Sequence, residues 1–132
     1  APKLPALELA DYCYFYMFQG CTQLNSVSDL PATELSLGCY AYMFHACNSI
    51  KVSPKLYAKV LKDMCYSGMF QGCTSMVEIT CLAEDISAPS CLSHWVNNIT
   101  TKGTFYKSPN MTSLPIGVNG IPESWTVQDY AG

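Results

Sequence analysis

Apolar and polar residues follow one another along this chain in a pattern with a 26-residue period. Three segments are nearly alike: YCYFYMFQGCTQL from Tyr12, GCYAYMFHACNSI from Gly38 and MCYSGMFQGCTSM from Met64. Residues 2–27 and 54–79 are identical at 14 of 26 positions. A fixed period of this length is typical of repeat proteins, in which neighbouring units share one core. We divide residues 1–105 into the units 2–27, 28–53, 54–79 and a degenerate unit, 80–105.

Within each unit, one stretch has the spacing of an amphipathic helix. In the first unit the residues with this spacing are Leu9, Cys13, Met17 and Cys21, with Tyr14 and Phe18 as a second row beside them. Residues four apart share one face of a helix. The pattern predicts a helix from residue 9 or 10 to residue 19, with a copy in each later unit. Gly20 and Gly72 follow it where a left-handed backbone is favoured, although Ala46 departs from this.

A shorter segment follows each predicted helix. These segments read LNSVSDL from Leu24, IKVSPKL from Ile50 and MVEITCL from Met76. They are too short for helices and place apolar residues three and six apart, so each predicts a short strand. Pro54 lacks a backbone N–H and weakens strand pairing in the second of them. One strand and one helix per unit, at constant period, predict an α/β solenoid.

The repeated motif resembles that of a known family. The CYxxMFxGCTSL signature, the Leu-Pro-Ala segments at residues 4–6 and 30–32 and the 26-residue period are similar to the BspA-type leucine-rich repeats of bacterial surface proteins. The resemblance covers nearly the whole chain. It implies a leucine-rich-repeat solenoid that is extracellular, displayed at a bacterial cell surface and without enzymatic activity or cofactor. Such a module adheres to a host or bacterial surface protein or glycan, but fold alone does not fix the ligand.

The two ends of the repeat differ. Residues 106–132 are irregular, and we predict that they form a C-terminal β cap that covers the last apolar edge. Residues 104–107 and 125–127 are its expected strands, with Asn119-Gly120 as a turn. The first unit has no polar capping segment before it, so we expect further repeats or an anchor domain upstream of residue 1. In the full-length protein this upstream part could carry a lipid anchor.

Composition narrows the classes of function. The 132 residues amount to one domain. The net charge is −3, with seven lysines and no arginine, which argues against nucleic acid as a partner. No apolar run approaches the roughly 18 residues of a membrane span, so we expect no membrane insertion in this segment.

Eight cysteines stand out in a chain of this length. Seven of them follow the 26-residue period in two columns: Cys13, Cys39, Cys65 and Cys91, and Cys21, Cys47 and Cys73. On one helix Cys13 and Cys21 would lie about 12 Å apart, too far for a disulfide. We interpret the columns as core cysteine ladders of reduced thiols. The alternatives are some disulfides, or a metal bound at Cys39, His45 and Cys47.

Outward strand positions are the first candidate binding residues. They are Asn25, Ser26, Ser28, Lys51, Val52, Pro54, Val77, Glu78 and Thr80. Leucine-rich repeats often bind partners through such positions, so the family resemblance implies a recognition face here. The alternative function is a structural spacer or stalk within a larger surface protein.

Aromatic residues on the first unit are the second candidate. Tyr12, Phe15 and Tyr16 occupy outward columns and form either a contact surface or a face that upstream repeats cover. The recurring rings Tyr14, Tyr40 and Tyr66, and Phe18, Phe44 and Phe70, are expected to pack in the core. His45 and His94 lie in variable columns, so we predict no catalytic residue.

Overall fold

The computed structural model describes residues 11–12, 14–27, 29–99, 101–111 and 114–130. Its regular secondary structure consists of four β-strands that form one parallel sheet in the order β1-β2-β3-β4. The strands are β1 (Val52–Leu56), β2 (Glu78–Cys81), β3 (Thr104–Lys107) and β4 (Thr126–Asp129). Among these residues, none belongs to a helix with the length and apolarity that a membrane crossing requires.

The sheet follows the repeat of the sequence as far as β3. β2 and β3 pair Glu78 with Thr104, one full period further on, whereas β3 and β4 pair Thr104 with Thr126, which is less than one period away. β1, β2 and β3 lie within segments where the sequence predicts strands, and β4 overlaps the strand expected at 125–127. The segment from Leu24 contains no strand in its described part, where Leu30 makes only an isolated bridge to Leu56.

Pro54 disturbs the pairing of β1 with β2, as its missing N–H predicts. The register shifts between Val52 and Lys55, so that Lys55, rather than Pro54, lies beside Thr80. The shift changes which β1 side chain reaches the outer face of the sheet.

Overlapping turns replace the predicted helices. We call residues 11–12 with 14–21, and residues 37–47, 63–73 and 89–99, the first to fourth turn rows. In the second row, alternate N–H groups donate to the carbonyl three residues back, as in Cys47 to Phe44 (3.0 Å). The N–H groups between them donate to the next row, as in Phe44 to Met69 (3.0 Å). An α-helix would direct every N–H to the carbonyl four residues back, so the predicted helix in each unit, and with it the α/β class, is wrong.

Backbone conformation explains the difference. Gly38, Tyr42 and Ala46, four residues apart in the second row, have φ of 60°, 55° and 62°. A residue with positive φ cannot continue a right-handed helix. Gly20 and Gly72 have φ of 70° and 78°, which confirms the left-handed conformation expected there. Ala46 adopts it as well, although its side chain makes this conformation less favourable than in glycine.

Stacked aromatic rings join neighbouring turn rows through the core. Tyr14, Tyr40, Tyr66 and Trp95 form one stack, with successive ring centroids 5.7, 6.1 and 6.0 Å apart. Phe18, Phe44 and Phe70 form a second stack, with separations of 5.6 and 5.9 Å. The expected packing role is confirmed: the rings of the second and third rows are buried, and those of the first row are half-buried.

Six of the described cysteines carry free thiols: Cys21, Cys47, Cys65, Cys73, Cys81 and Cys91. The buried cysteines of the two columns are Cys39, Cys47, Cys65, Cys73 and Cys91. Cys21 is exposed, so its expected place in the core is wrong, because among the described residues no further turn row packs beyond the first. Cys13 lies outside the described residues.

Two cysteine side chains link successive rows by hydrogen bonds. The thiol of Cys47 donates to the carbonyl oxygen of Phe18 (2.9 Å), and that of Cys73 to the carbonyl oxygen of Phe44 (3.1 Å). The two bonds occupy equivalent positions of successive units. The cysteines therefore act as weak donors as well as small apolar side chains.

Candidate binding site

Side chains of alternate strand residues point away from the core. Ile79 and Phe105 are fully buried, whereas the residues on either side of each belong to the opposite face of the sheet. On that outer face the paired residues are Glu78, Thr104 and Thr126 in one line, and Lys55, Thr80, Tyr106 and Gln128 in the next. The outer face is thus polar, with one aromatic ring in its second line.

One groove of about 260 Å³ brings together most of the predicted strand positions. Its lining includes the predicted residues Asn25, Ser26, Lys51, Val52, Glu78 and Thr80. Ser28 lies outside the described residues. Pro54 is buried and Val77 is exposed, and neither lines the groove.

A second groove of about 340 Å³ continues across β3 and β4. It is lined by Lys55, Glu78, Thr80, Tyr106, Gln128, Asp129 and Tyr130. Lys55, Glu78 and Thr80 line both grooves. We therefore treat the two as one continuous surface and call it the sheet-face groove.

Lys55 and Tyr130 meet across this groove. The Lys55 ammonium lies 5.9 Å from the centroid of the Tyr130 ring. Lys55 lies in β1 and Tyr130 directly follows β4. These strands are separated by β2 and β3, about 14 Å at about 4.8 Å per strand, so both long side chains extend over the face. A hydrogen bond with Tyr130 raises the pKa of Lys55 above its usual value.

Two of the carboxylates around the groove are already engaged. Asp29 accepts the backbone N–H of Lys55 (3.0 Å), and Asp129 pairs with Lys107 (2.6 Å). Lys107–Asp129 is the only ion pair found in the part of the chain that the structure describes. Lys55 and Glu78 therefore line the same groove without forming an ion pair with each other.

The aromatic candidates lie elsewhere, on the first turn row. Tyr12 and Tyr16 are 45% and 38% exposed, as their outward columns predict. Phe15 is half-buried, because its ring packs edge-on against both tyrosines, with centroids 5.3 and 4.2 Å away. None of these three lines the sheet-face groove.

The two histidines have separate surroundings. His45 Nδ1 lies 3.2 Å from the Gln19 amide, and His94 Nδ1 lies 3.1 Å from the Ser93 hydroxyl. Within the described ranges, no three His, Cys, Asp or Glu side chains are grouped so as to hold a metal ion. Cys39, His45 and Cys47 therefore do not form such a group.

The sequence alone missed several residues of the groove, for two reasons. If side chains alternated regularly along the strand from Val52, Pro54 would lie on the outer face. The register shift in β1 places Lys55 there instead. Gln128 belongs to β4 and Tyr130 directly follows that strand, beyond the repeat units, and Tyr106 in β3 lies one residue past the last unit. Alternation within residues 104–107 is the signal that would have found Tyr106.

Comparisons with known proteins do not assign the chain to a family. No family model, curated protein or solved structure matches it. Its function is therefore argued from the residues of the sheet-face groove.

Proposed function

We propose that this chain is a non-enzymatic binding module that recognises a protein or glycan through the sheet-face groove. The observation that carries the proposal is the continuity of the groove over four paired strands, with Lys55, Glu78 and Thr80 lining both of its parts. Paired strands hold side chains at fixed spacing, which favours a binding site that is already formed before its ligand arrives.

We also propose that the units stack as a BspA-type leucine-rich-repeat solenoid displayed at a bacterial cell surface. In this arrangement the turn rows take the place of helices, and residues 106–132 form the C-terminal cap. The supporting observations are the hydrogen bonds from each turn row to the next and the two aromatic stacks. The repeated signature, which resembles that family, supports the same assignment.

Binding without catalysis is the simplest chemistry for this groove. Its carboxylates Asp29 and Asp129 are held by a backbone N–H and by a lysine ammonium. Glu78 lines the groove together with Lys55, Thr80 and Asp129. Paired carboxylates working as acid and base would need contrasting environments across a bound substrate.

A structural spacer is the second candidate. It is favoured by the regular bonding between the second and third turn rows, where Gly38, Tyr40, Tyr42, Phe44 and Ala46 each donate a backbone N–H to the next row. Such bonding gives a stiff unit that can hold another domain away from a surface.

Binding of the full chain to panels of immobilised glycans and extracellular-matrix proteins separates the two candidates. We expect Lys51→Ala combined with Glu78→Ala to weaken binding at least about tenfold, because two charged groups that line the groove are lost. The matched control combines Lys102→Ala with Glu123→Ala, which removes the same charges at exposed positions outside the groove. Equal loss in both variants contradicts the groove as the site, and no binding to either panel favours the spacer.

A further inference from the structure

The sheet-face groove has the chemistry of a site for an uncharged, hydroxyl-rich chain. We infer that its ligand is a neutral oligosaccharide of several sugar units. The inference rests on the proposed binding function and names the ligand class. Four properties of the groove lead to it: its charges, its neutral polar groups, its aromatic rings and its position on the face of the sheet.

Charges of both signs line one part of the groove. Lys51 and Lys55 lie among Asp29 and Glu78, and all four line the same part of it. A polyanion would be repelled by Glu78, and a polycation by Lys51 and Lys55, so the groove favours neither sign of charge. Sugar hydroxyls both donate and accept, so they can use the ammonium groups as donors and the free carboxylate as an acceptor.

Neutral groups complete the polar lining. The Tyr106 hydroxyl and the Gln128 amide each offer donors and acceptors, and the two residues are paired in one line across β3 and β4. This line suits a ligand whose hydroxyls recur along its length.

Two aromatic rings lie in the wider part of the groove, those of Tyr106 and Tyr130. A sugar ring has an apolar C–H face as well as polar edges, and an aromatic side chain offers an apolar face with a polar tip. The Lys55 ammonium, 5.9 Å from the ring centre, restrains the position of the Tyr130 ring before ligand arrives.

The position of the groove argues against an extended peptide. Peptides that bind sheets commonly pair with a free strand edge, where backbone groups supply the affinity. The wider part of this groove crosses β2 and β3, which are paired on both sides, so it presents side chains rather than free backbone groups. It extends over four strands, about 14 Å, which suits several sugar units.

Calorimetric titration of the full chain with cellohexaose, maltohexaose, chitohexaose and hexagalacturonate tests the inference. We expect at least one neutral hexasaccharide to bind, with an affinity that changes less than about twofold between low and high NaCl, since salt screens charged partners. Gln128→Ala should weaken that binding about 3- to 10-fold, the effect of one neutral hydrogen bond. Tyr130→Ala should weaken it about tenfold, and Tyr130→Phe much less, because the ring is retained.

Gln23→Ala is the matched control, because Gln23 is exposed and lies outside the groove. It should leave the affinity unchanged, and circular dichroism should show that each variant is folded. Binding of hexagalacturonate alone, or of no neutral hexasaccharide up to about 10 mM, overturns the inference. If a protein ligand still binds and depends on Lys51 and Glu78, the proposed function stands and only the ligand class is wrong. If no ligand depends on them, the proposed function fails too.

Discussion

The backbone N–H of Thr80 donates to the side-chain hydroxyl of Ser53, at 3.1 Å, where β2 runs beside β1. Both residues are buried, at 5% and 6% exposure. The register shift around Pro54 removes the regular backbone pairing here, and the serine hydroxyl supplies the acceptor instead. The same hydroxyl donates to the carbonyl oxygen of Pro54 (2.9 Å). One small side chain thus completes the sheet beneath the groove.

Replacing this hydroxyl should destabilise the protein. Ser53→Ala leaves the buried N–H of Thr80 without an acceptor, and we expect the free energy of unfolding to fall by about 1–3 kcal/mol. Urea denaturation measures the change. Ser26→Ala, at an exposed position of the same groove, should change it by less than about 0.5 kcal/mol. Equal stability of Ser53→Ala and the unaltered protein would contradict the role given to this hydroxyl at the register shift.

Gly103 touches the neighbouring chain segment too closely to carry a side chain. A Cβ there would overlap the carbonyl oxygen of Val77, which accepts the N–H of Thr104 (3.0 Å). We expect Gly103→Ala to lower the free energy of unfolding by at least about 2 kcal/mol, because backbone must move.

Gly20 provides the matched comparison for Gly103. Its φ is 70°, yet a Cβ there would meet nothing within 4 Å. Gly20→Ala should cost about 1–2 kcal/mol, from the left-handed conformation alone. Thermal unfolding of both variants measures which substitution costs more stability. A larger loss of stability for Gly20→Ala than for Gly103→Ala would contradict this prediction.

Phe44 lies inside an aromatic stack, between Phe18 and Phe70, and is 1% exposed. Phe44→Ala removes contacts to both neighbouring rows, and we expect it to cost about 3–5 kcal/mol. Phe18→Ala, at the half-buried end of the same stack, should cost clearly less. Chemical denaturation tests this order, and equal losses would show that the stack does not couple the rows.

Buried thiols should make stability fall at alkaline pH. Burial raises the pKa of Cys73 and of Cys81 from 9.0 to about 12. The unfolded chain therefore releases these protons above about pH 9, whereas the folded chain retains them until about pH 12. Because the folded state then binds more protons, the free energy of unfolding decreases as pH rises through this window.

Urea midpoints measured from about pH 8 to about pH 10.5 test the thiol prediction. Cys73→Val removes one of the two groups, so its stability should depend less steeply on pH above about 9. Cys21→Val is the control, because Cys21 is exposed. A slope that is unchanged in Cys73→Val would exclude this thiol as a contributor.

Much of the candidate site follows from the sequence. Asn25, Ser26, Lys51, Val52, Glu78 and Thr80 belong to the corresponding segments of successive units, and the structure places all six on one groove. Lys55 was not predictable, because the register shift in β1 depends on how Ser53 and Pro54 meet β2. Tyr130 was missed because its proximity to Lys55 requires two strands distant in sequence to share a sheet.

The four-residue spacing was misleading for a physical reason. An α-helix turns about 400° in four residues, so residues four apart drift by only about 40° and still share a face. Cys39, Met43 and Cys47 would therefore share one face of a helix, and they also share one face of a turn row. The spacing of these apolar residues does not distinguish the two structures. Glycine in the columns of Gly38, Gly68 and Gly72, where φ is positive in every unit, was the signal against a helix.

By itself, the sequence determined the 26-residue period, the columns of core side chains and the strand segments of the second and third units. Such features depend on residue type and spacing, which are local. Only the tertiary structure decided between helices and turn rows, because alternate N–H groups find their acceptors in the next unit, about one repeat period ahead. It also decided the extent of the sheet-face groove, since Lys55 and Tyr130 meet only when all four strands are assembled side by side.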